Sequence, residues 1–174
     1  AIIAAFQRHS ADGIGGKVLP IWQAKRPTWL SDSFLNVLAL LNFGDEAFRI
    51  DWKEDPKMLY GVNYAFRKVI FERLGNFNTI LGSRGEDQEL FDRLAAADAR
   101  VFYDPSVVVR HVISGDRLTK RYYREWYRAS GLARAKLAPS VGRSLFGIPL
   151  YSLRSGFATL GGLFASALTC DKEG

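Results

Sequence analysis

Cysteine is nearly absent. Cys170 is the only one among 174 residues, so no internal disulfide and no cysteine-built zinc site can form, and a reducing compartment suits the chain. No stretch of about 20 apolar residues is available to span a bilayer: residues 155–170 are uncharged and rich in Gly and Ala, but fall short of that length. Such a segment can still lie on a membrane surface. Position 1 is Ala, and residues 1–6 have neither the charged start nor the cleavage pattern of a signal peptide, so the sequence reads as an excised or processed piece. Internal repeats and low-complexity tracts are missing as well.

What is plentiful is apolar area. With 12 Phe, 7 Tyr and 4 Trp, and 48% hydrophobic residues, a folded core can offset the ordering entropy and disorder is excluded. The net charge of +6 is concentrated in one place. Residues 1–116 hold 14 Lys and Arg against 15 Asp and Glu, whereas residues 117–137 hold 7 against 1. One short segment therefore supplies the excess, which suits an anionic partner.

Patterning divides the chain into elements. Residues 1–9 read as the end of a helix, residues 10–16 as a glycine-rich turn, and residues 17–22 as a strand that Pro20 places at an edge or end. Residues 31–42 have helical spacing. Residues 59–67 look extended, and a helix from Arg67 to Leu74 ends at Gly75. A small-residue loop follows, and Glu86-Asp87-Gln88-Glu89 opens a helix that runs to about Ala97. Residues 100–103 and 107–112 read as two strands separated by an Asp104-Pro105 turn. Leu118, Tyr122 and Trp126 recur every four residues in a basic helix.

Several groups could carry chemistry. Glu86 and Asp87, at a helix start beside a loop, can face a cleft and accept a proton, or form a solvated first turn. His111 closes a valine-rich strand and can be a metal ligand, a base or a packed ring. Asn63, Tyr64 and Arg67 stand where an extended segment becomes a helix, suited either to a polyhydroxylated ligand or to core and cap roles. The aromatic-basic run 117–128 can hold phosphates or be an amphipathic surface helix.

In order and spacing, Gly61-Val-Asn-Tyr-Ala-Phe-Arg-Lys68, Phe71-Glu-Arg-Leu-Gly-Asn-Phe77, Gly85-Glu-Asp-Gln-Glu-Leu-Phe-Asp-Arg-Leu94, Val101-Phe-Tyr-Asp-Pro105 and Val108-Val-Arg-His111 resemble the second half of an inverting family 2 glycosyltransferase. The resemblance extends from Gly15 to about Leu137. It implies an α/β chain, a partial GT-A fold lacking its N-terminal nucleotide-binding half, over residues 1–137. An apolar, amphipathic tail at 138–174 follows the basic helix.

The same resemblance implies that Asp87 is the general base and Glu86 helps position the acceptor. Trp29, Asn63, Tyr64 and Arg67 would shape the acceptor side, Arg84 would reach the donor diphosphate, and His111 would approach a divalent metal, Mn²⁺ or Mg²⁺. That metal's Asp-x-Asp ligands are not in this sequence. The implied partners are a nucleoside-diphosphate sugar and a saccharide or lipid-linked acceptor, on the cytoplasmic inner face of the cell membrane. The fragment alone is expected to be inactive. The basic helix reads Arg121-Tyr-Tyr-Arg-Glu-Trp126 and departs from the Gln-x-x-Arg-Trp of processive members, which favours transfer of a single sugar. The competing reading is a non-enzymatic basic module that binds nucleic acid or an anionic membrane through residues 117–128. The slightly acidic remainder and the lack of a nucleic-acid motif count against nucleic acid.

Overall fold

A computed structural model describes residues 1–79 and 85–137, with side chains up to residue 133, and two short strands at 144–145 and 148–149. It is an α/β unit, Ala1–Leu137, around a mixed four-stranded sheet. The elements run α1 (Ile2–His9), β1 (Gly13–Trp22), a 3₁₀ helix (Asp32–Leu38), β2 (Phe48–Arg49), a 3₁₀ turn (Gly61–Asn63), β3 (Tyr64–Phe66), α2 (Lys68–Leu74), α3 (Glu86–Ala96), β4 (Val101–Ile113), a 3₁₀ turn (Gly115–Leu118) and α4 (Lys120–Leu137). A second unit, Ala138–Gly174, contributes the described strands β5 (Ser144–Leu145) and β6 (Ile148–Pro149), which pair antiparallel.

The sheet order is β2-β4-β1-β3, with β1 and β4 parallel at the centre and both edge strands antiparallel. Successive residues of β4 serve opposite faces, as strand geometry requires. Val101 and Tyr103 enter the main core with Leu90, Phe91 and Leu94 of α3, and Phe102 turns to α1. There Ala5, Ala11, Ile14 and Val107 form a second, smaller cluster.

The centre of the sheet departs from the predicted pattern in two ways. The glycine-rich stretch is part of β1 from Gly13 onward, and the two predicted strands are one continuous β4. The Asp104-Pro105 signal is present as a bulge. Gly15 faces Tyr103 and Lys17 faces Val108, so Gly16 alone stands opposite residues 104–107. A Cβ at Gly16 would lie 1.9 Å from the Val107 carbonyl oxygen, which is why that position carries no side chain.

The bulge is closed by Asp104, which is buried. Its carboxylate accepts hydrogen bonds from the Ser106 amide at 2.9 Å and hydroxyl at 2.6 Å. Arg8 at 2.8 Å and His9 at 2.9 Å attach the same group to α1. Burial opposes ionisation of Asp104, but the Ser106 bonds, His9 and the Arg8 charge outweigh it and hold the carboxyl below its ordinary range. The stabilisation it supplies is thus present above that range and is lost as pH falls through it.

Elsewhere, residues 32–38 are a 3₁₀ helix rather than a long α-helix, ended by Ala39 at φ 56°. Helix α2 closes at Gly75 with φ 84°, as predicted. Leu118 and Tyr123 enter the core, and Tyr122 and Trp126 pack at its margin.

Gly16→Ala forces β1 and β4 apart at their tightest approach. A loss of about 3 kcal/mol is expected, read as a lower denaturant midpoint by circular dichroism. An unchanged midpoint would show that the close approach does not govern the sheet.

Candidate active site

One cleft of about 860 Å³ lies between the start of α3, the 3₁₀ helix near Asn36, the segment from Met58 to Val62, and the inner side of α4. Helix α3 begins there because Gly85, at φ 93°, turns the chain into an acidic first turn, where the helix dipole favours carboxylates. Glu86 and Asp87 both line the cleft.

The Asp87 carboxylate is held by its neighbours. Tyr64, in β3, donates its phenolic proton to Asp87 Oδ1. Burial, followed by the bond to Asp87 and the negative charges of Asp87 and Glu86, pushes the Tyr64 phenol far above its ordinary value, so it remains a donor at any working pH. Gly61 borders the carboxylate, and a Cβ there would come within 3.2 Å of Asp87 Oδ2. One oxygen is therefore fixed by a phenol while the other sits beside a residue without a side chain. Glu86 Oε2 is buried and has no hydrogen-bond partner among the described residues. An orphaned buried acceptor is costly unless a donor arrives, and a ligand hydroxyl is such a donor.

Across the cleft stands a cationic and aromatic wall. Arg117, Tyr122, Trp126 and Tyr127 line it. Arg117 Nε donates to the Tyr122 hydroxyl at 3.0 Å, and Arg117 Nη1 donates to His111 Nε2 at 3.0 Å. Burial and then the Arg117 charge lower the His111 pKa, so the ring is neutral at neutral pH and its Nε2 accepts. The Arg117 guanidinium also lies 5.4 Å from the Tyr122 ring centroid.

The structure sorts the sequence-predicted residues into groups. Asp87 and Glu86 line the cleft, and Tyr64, which is not in its lining, reaches Asp87 from behind through its hydroxyl. Asn63 is buried away from its lining, and its amide donates to the Lys17 carbonyl at 2.8 Å and the Val107 carbonyl at 3.1 Å, bracing the bulge. Arg67 donates to the Ala11 carbonyl at 2.7 Å and lies over Phe6, toward α1. Trp29 packs edge-on against Tyr123, with centroids 5.1 Å apart. These three have packing or backbone partners and do not line the cleft. Arg84 lies outside the described residues, as do the apolar run 155–170 and Cys170.

The metal reading meets a local obstacle. Among the described residues no group of three or more His, Cys, Asp or Glu is placed to hold a metal. His111 presents Nε2 to a guanidinium, whose charge opposes a second cation at the same atom. The described residues therefore do not fit a metal centre of their own.

Sequence reasoning missed the pairing of Arg117 with His111 and the role of Gly61. The four-residue spacing of Tyr122 and Trp126, which places both on one helix face, was the available signal for the aromatic wall.

Known proteins add one observation. Over 76 residues, the chain is 28% identical to the glucosyl-dolichyl phosphate glucuronosyltransferase of Haloferax volcanii. It is thus similar to a sugar transferase. The match takes in 44% of this chain and 23% of that protein, so it spans about a quarter of the relative's length. No family model and no solved structure matches.

Burial pushes the Tyr123 phenol up to about 12, and its hydroxyl has no partner among the described residues. The native state then keeps protons that the unfolded chain releases above about pH 10, so stability is flat below that point and falls as pH rises through it. Tyr123→Phe should make the alkaline decline shallower and leave the melting temperature at pH 8 equal or higher. A lower melting temperature at pH 8 would mean that the hydroxyl has a partner.

Proposed function

We propose that the cleft is the acceptor side of a glycosyltransferase site in which Asp87 takes the proton of the attacking hydroxyl. One observation carries this reading: a carboxylate fixed by a half-buried tyrosine stands beside an orphaned Glu86 oxygen in a cleft that both acids line. The similarity to a glycosyltransferase supports the same chemistry.

In this reading a neighbouring hydroxyl of the acceptor donates to Glu86, and the attacking hydroxyl donates to Asp87. Its proton passes to Asp87 as its oxygen bonds to the anomeric carbon and the bond from that carbon to the nucleoside diphosphate breaks. The configuration inverts in a single displacement, as in family 2 enzymes of GT-A fold. Tyr64 keeps the base oriented, so that little reorganisation is needed at the moment of transfer. The donor is a nucleoside-diphosphate sugar, and the acceptor is a saccharide or a lipid-linked saccharide. The relative's name is consistent with a lipid-linked acceptor, which would place the protein peripherally on the inner face of the cell membrane. No described helix is long and apolar enough to cross that membrane. A divalent metal, in this reading, draws its carboxylates from an Asp-x-Asp beyond the present sequence.

Asp87→Asn in the full-length protein should lower the turnover number by about a thousandfold, measured as transfer from labelled nucleotide sugars to lipid-linked saccharides. Tyr64→Phe should lower it by about tenfold with KM little changed. Undiminished turnover in the Asp87 variant would remove it from the base role. The charge gathered in residues 117–137 sustains the alternative of a binding module. Steeply salt-dependent binding of generic RNA, with no nucleotide sugar turned over, would favour it.

A further inference from the structure

The cationic wall has a feature that the acceptor chemistry leaves unused. Arg117 lines the cleft, and its Nε and Nη1 are committed to a phenol and an imidazole. Neither partner is a carboxylate, so the hydrogen bonds fix the guanidinium without cancelling its charge. Nη2 keeps two N–H groups with no acceptor among the described residues. Asp116, the adjacent acid, feels the Arg117 charge, but its carboxylate is engaged chiefly by Ser114. A planar guanidinium held at two nitrogens, with a free edge in a cleft, is preorganised for a tetrahedral oxyanion.

We propose that Arg117 binds a phosphate or diphosphate in this cleft, and that His111 acts as the positioning residue that aims it. The imidazole is in this view a hydrogen-bond acceptor for an arginine rather than a ligand for a cation. Tyr122 supplies the second brace, through its hydroxyl to Nε and its ring beneath the guanidinium. The anion has two sources of the same chemistry, the diphosphate of a nucleotide donor or the phosphate of a lipid-linked acceptor. The naming of these sources rests on the transferase reading; the anion site itself rests on the geometry of Arg117.

The test is calorimetric titration of the full chain with inorganic pyrophosphate. The wild type should bind it, Arg117→Gln should weaken binding at least tenfold, and Arg117→Lys should recover only part, because an ammonium cannot keep both braces. His111→Phe should weaken binding severalfold, and His111→Gln, which restores an acceptor, should recover most of it. A merely structural histidine would show no such rescue. Tyr122→Phe, which keeps the ring and removes only the hydroxyl, serves if the His111 variants do not fold, and should also weaken binding. Competition then separates the sources: displacement by uridine diphosphate assigns the anion to the donor, and displacement by decyl phosphate assigns it to a lipid-linked acceptor. Absence of pyrophosphate binding, equal affinity in Arg117→Gln, or displacement by neither competitor overturns the proposal. These readouts need no turnover. An Asp87→Asn protein that still transfers sugar defeats the base assignment while leaving this site standing.

Discussion

The approach of β1 to β4 at Gly16 is the constraint on which the rest depends. Because no side chain stands there, the bulged strand can fold its Val107 carbonyl against β1. That carbonyl and the Lys17 carbonyl are then both taken by the Asn63 amide. Asn63 is followed by Tyr64, and Tyr64 fixes Asp87. A missing methyl group in the middle of a sheet is thus connected, through one buried amide and one phenol, to the orientation of a carboxylate in a cleft. On the other side of the bulge, Asp104 ties in α1 through Arg8 and His9.

The helices were the most legible part of the fold, because periodicity and end signals are local. Helix α3 follows its acidic first turn, and α2 stops at Gly75 where a left-handed residue is needed. The sheet centre was misread for a physical reason. Glycines that allow two backbones to meet look, in sequence, like glycines that allow a chain to turn, and Asp-Pro marks a bulge as readily as a break. Only the partner strand distinguishes them, and β4 lies about ninety residues downstream of β1.

The site was legible in halves. Residue type and position left Glu86, Asp87 and Tyr64 open between a cleft and a solvated or packed role, and it was the family resemblance that singled them out. Asn63 and Arg67 carry equally suggestive side chains, yet both spend them on backbone carbonyls. A polar group near a site is as often the brace behind it as the surface in front. His111 and Arg117 could not be paired from sequence, since a tight 3₁₀ turn after β4 brings the arginine back toward the strand.

Both walls of the cleft are attached to the same hydrogen-bonded ladder. Tyr64 extends from the strand on one side of β1, and His111, which fixes Arg117, extends from the strand on the other. The gap between the Asp87 carboxylate and the Arg117 guanidinium is set by strand spacing and twist, much as the jaws of a calliper are set by its beam. Under the proposed transferase function, such a gap selects a ligand by the span between its hydroxyl and its charge, before any individual contact discriminates among sugars.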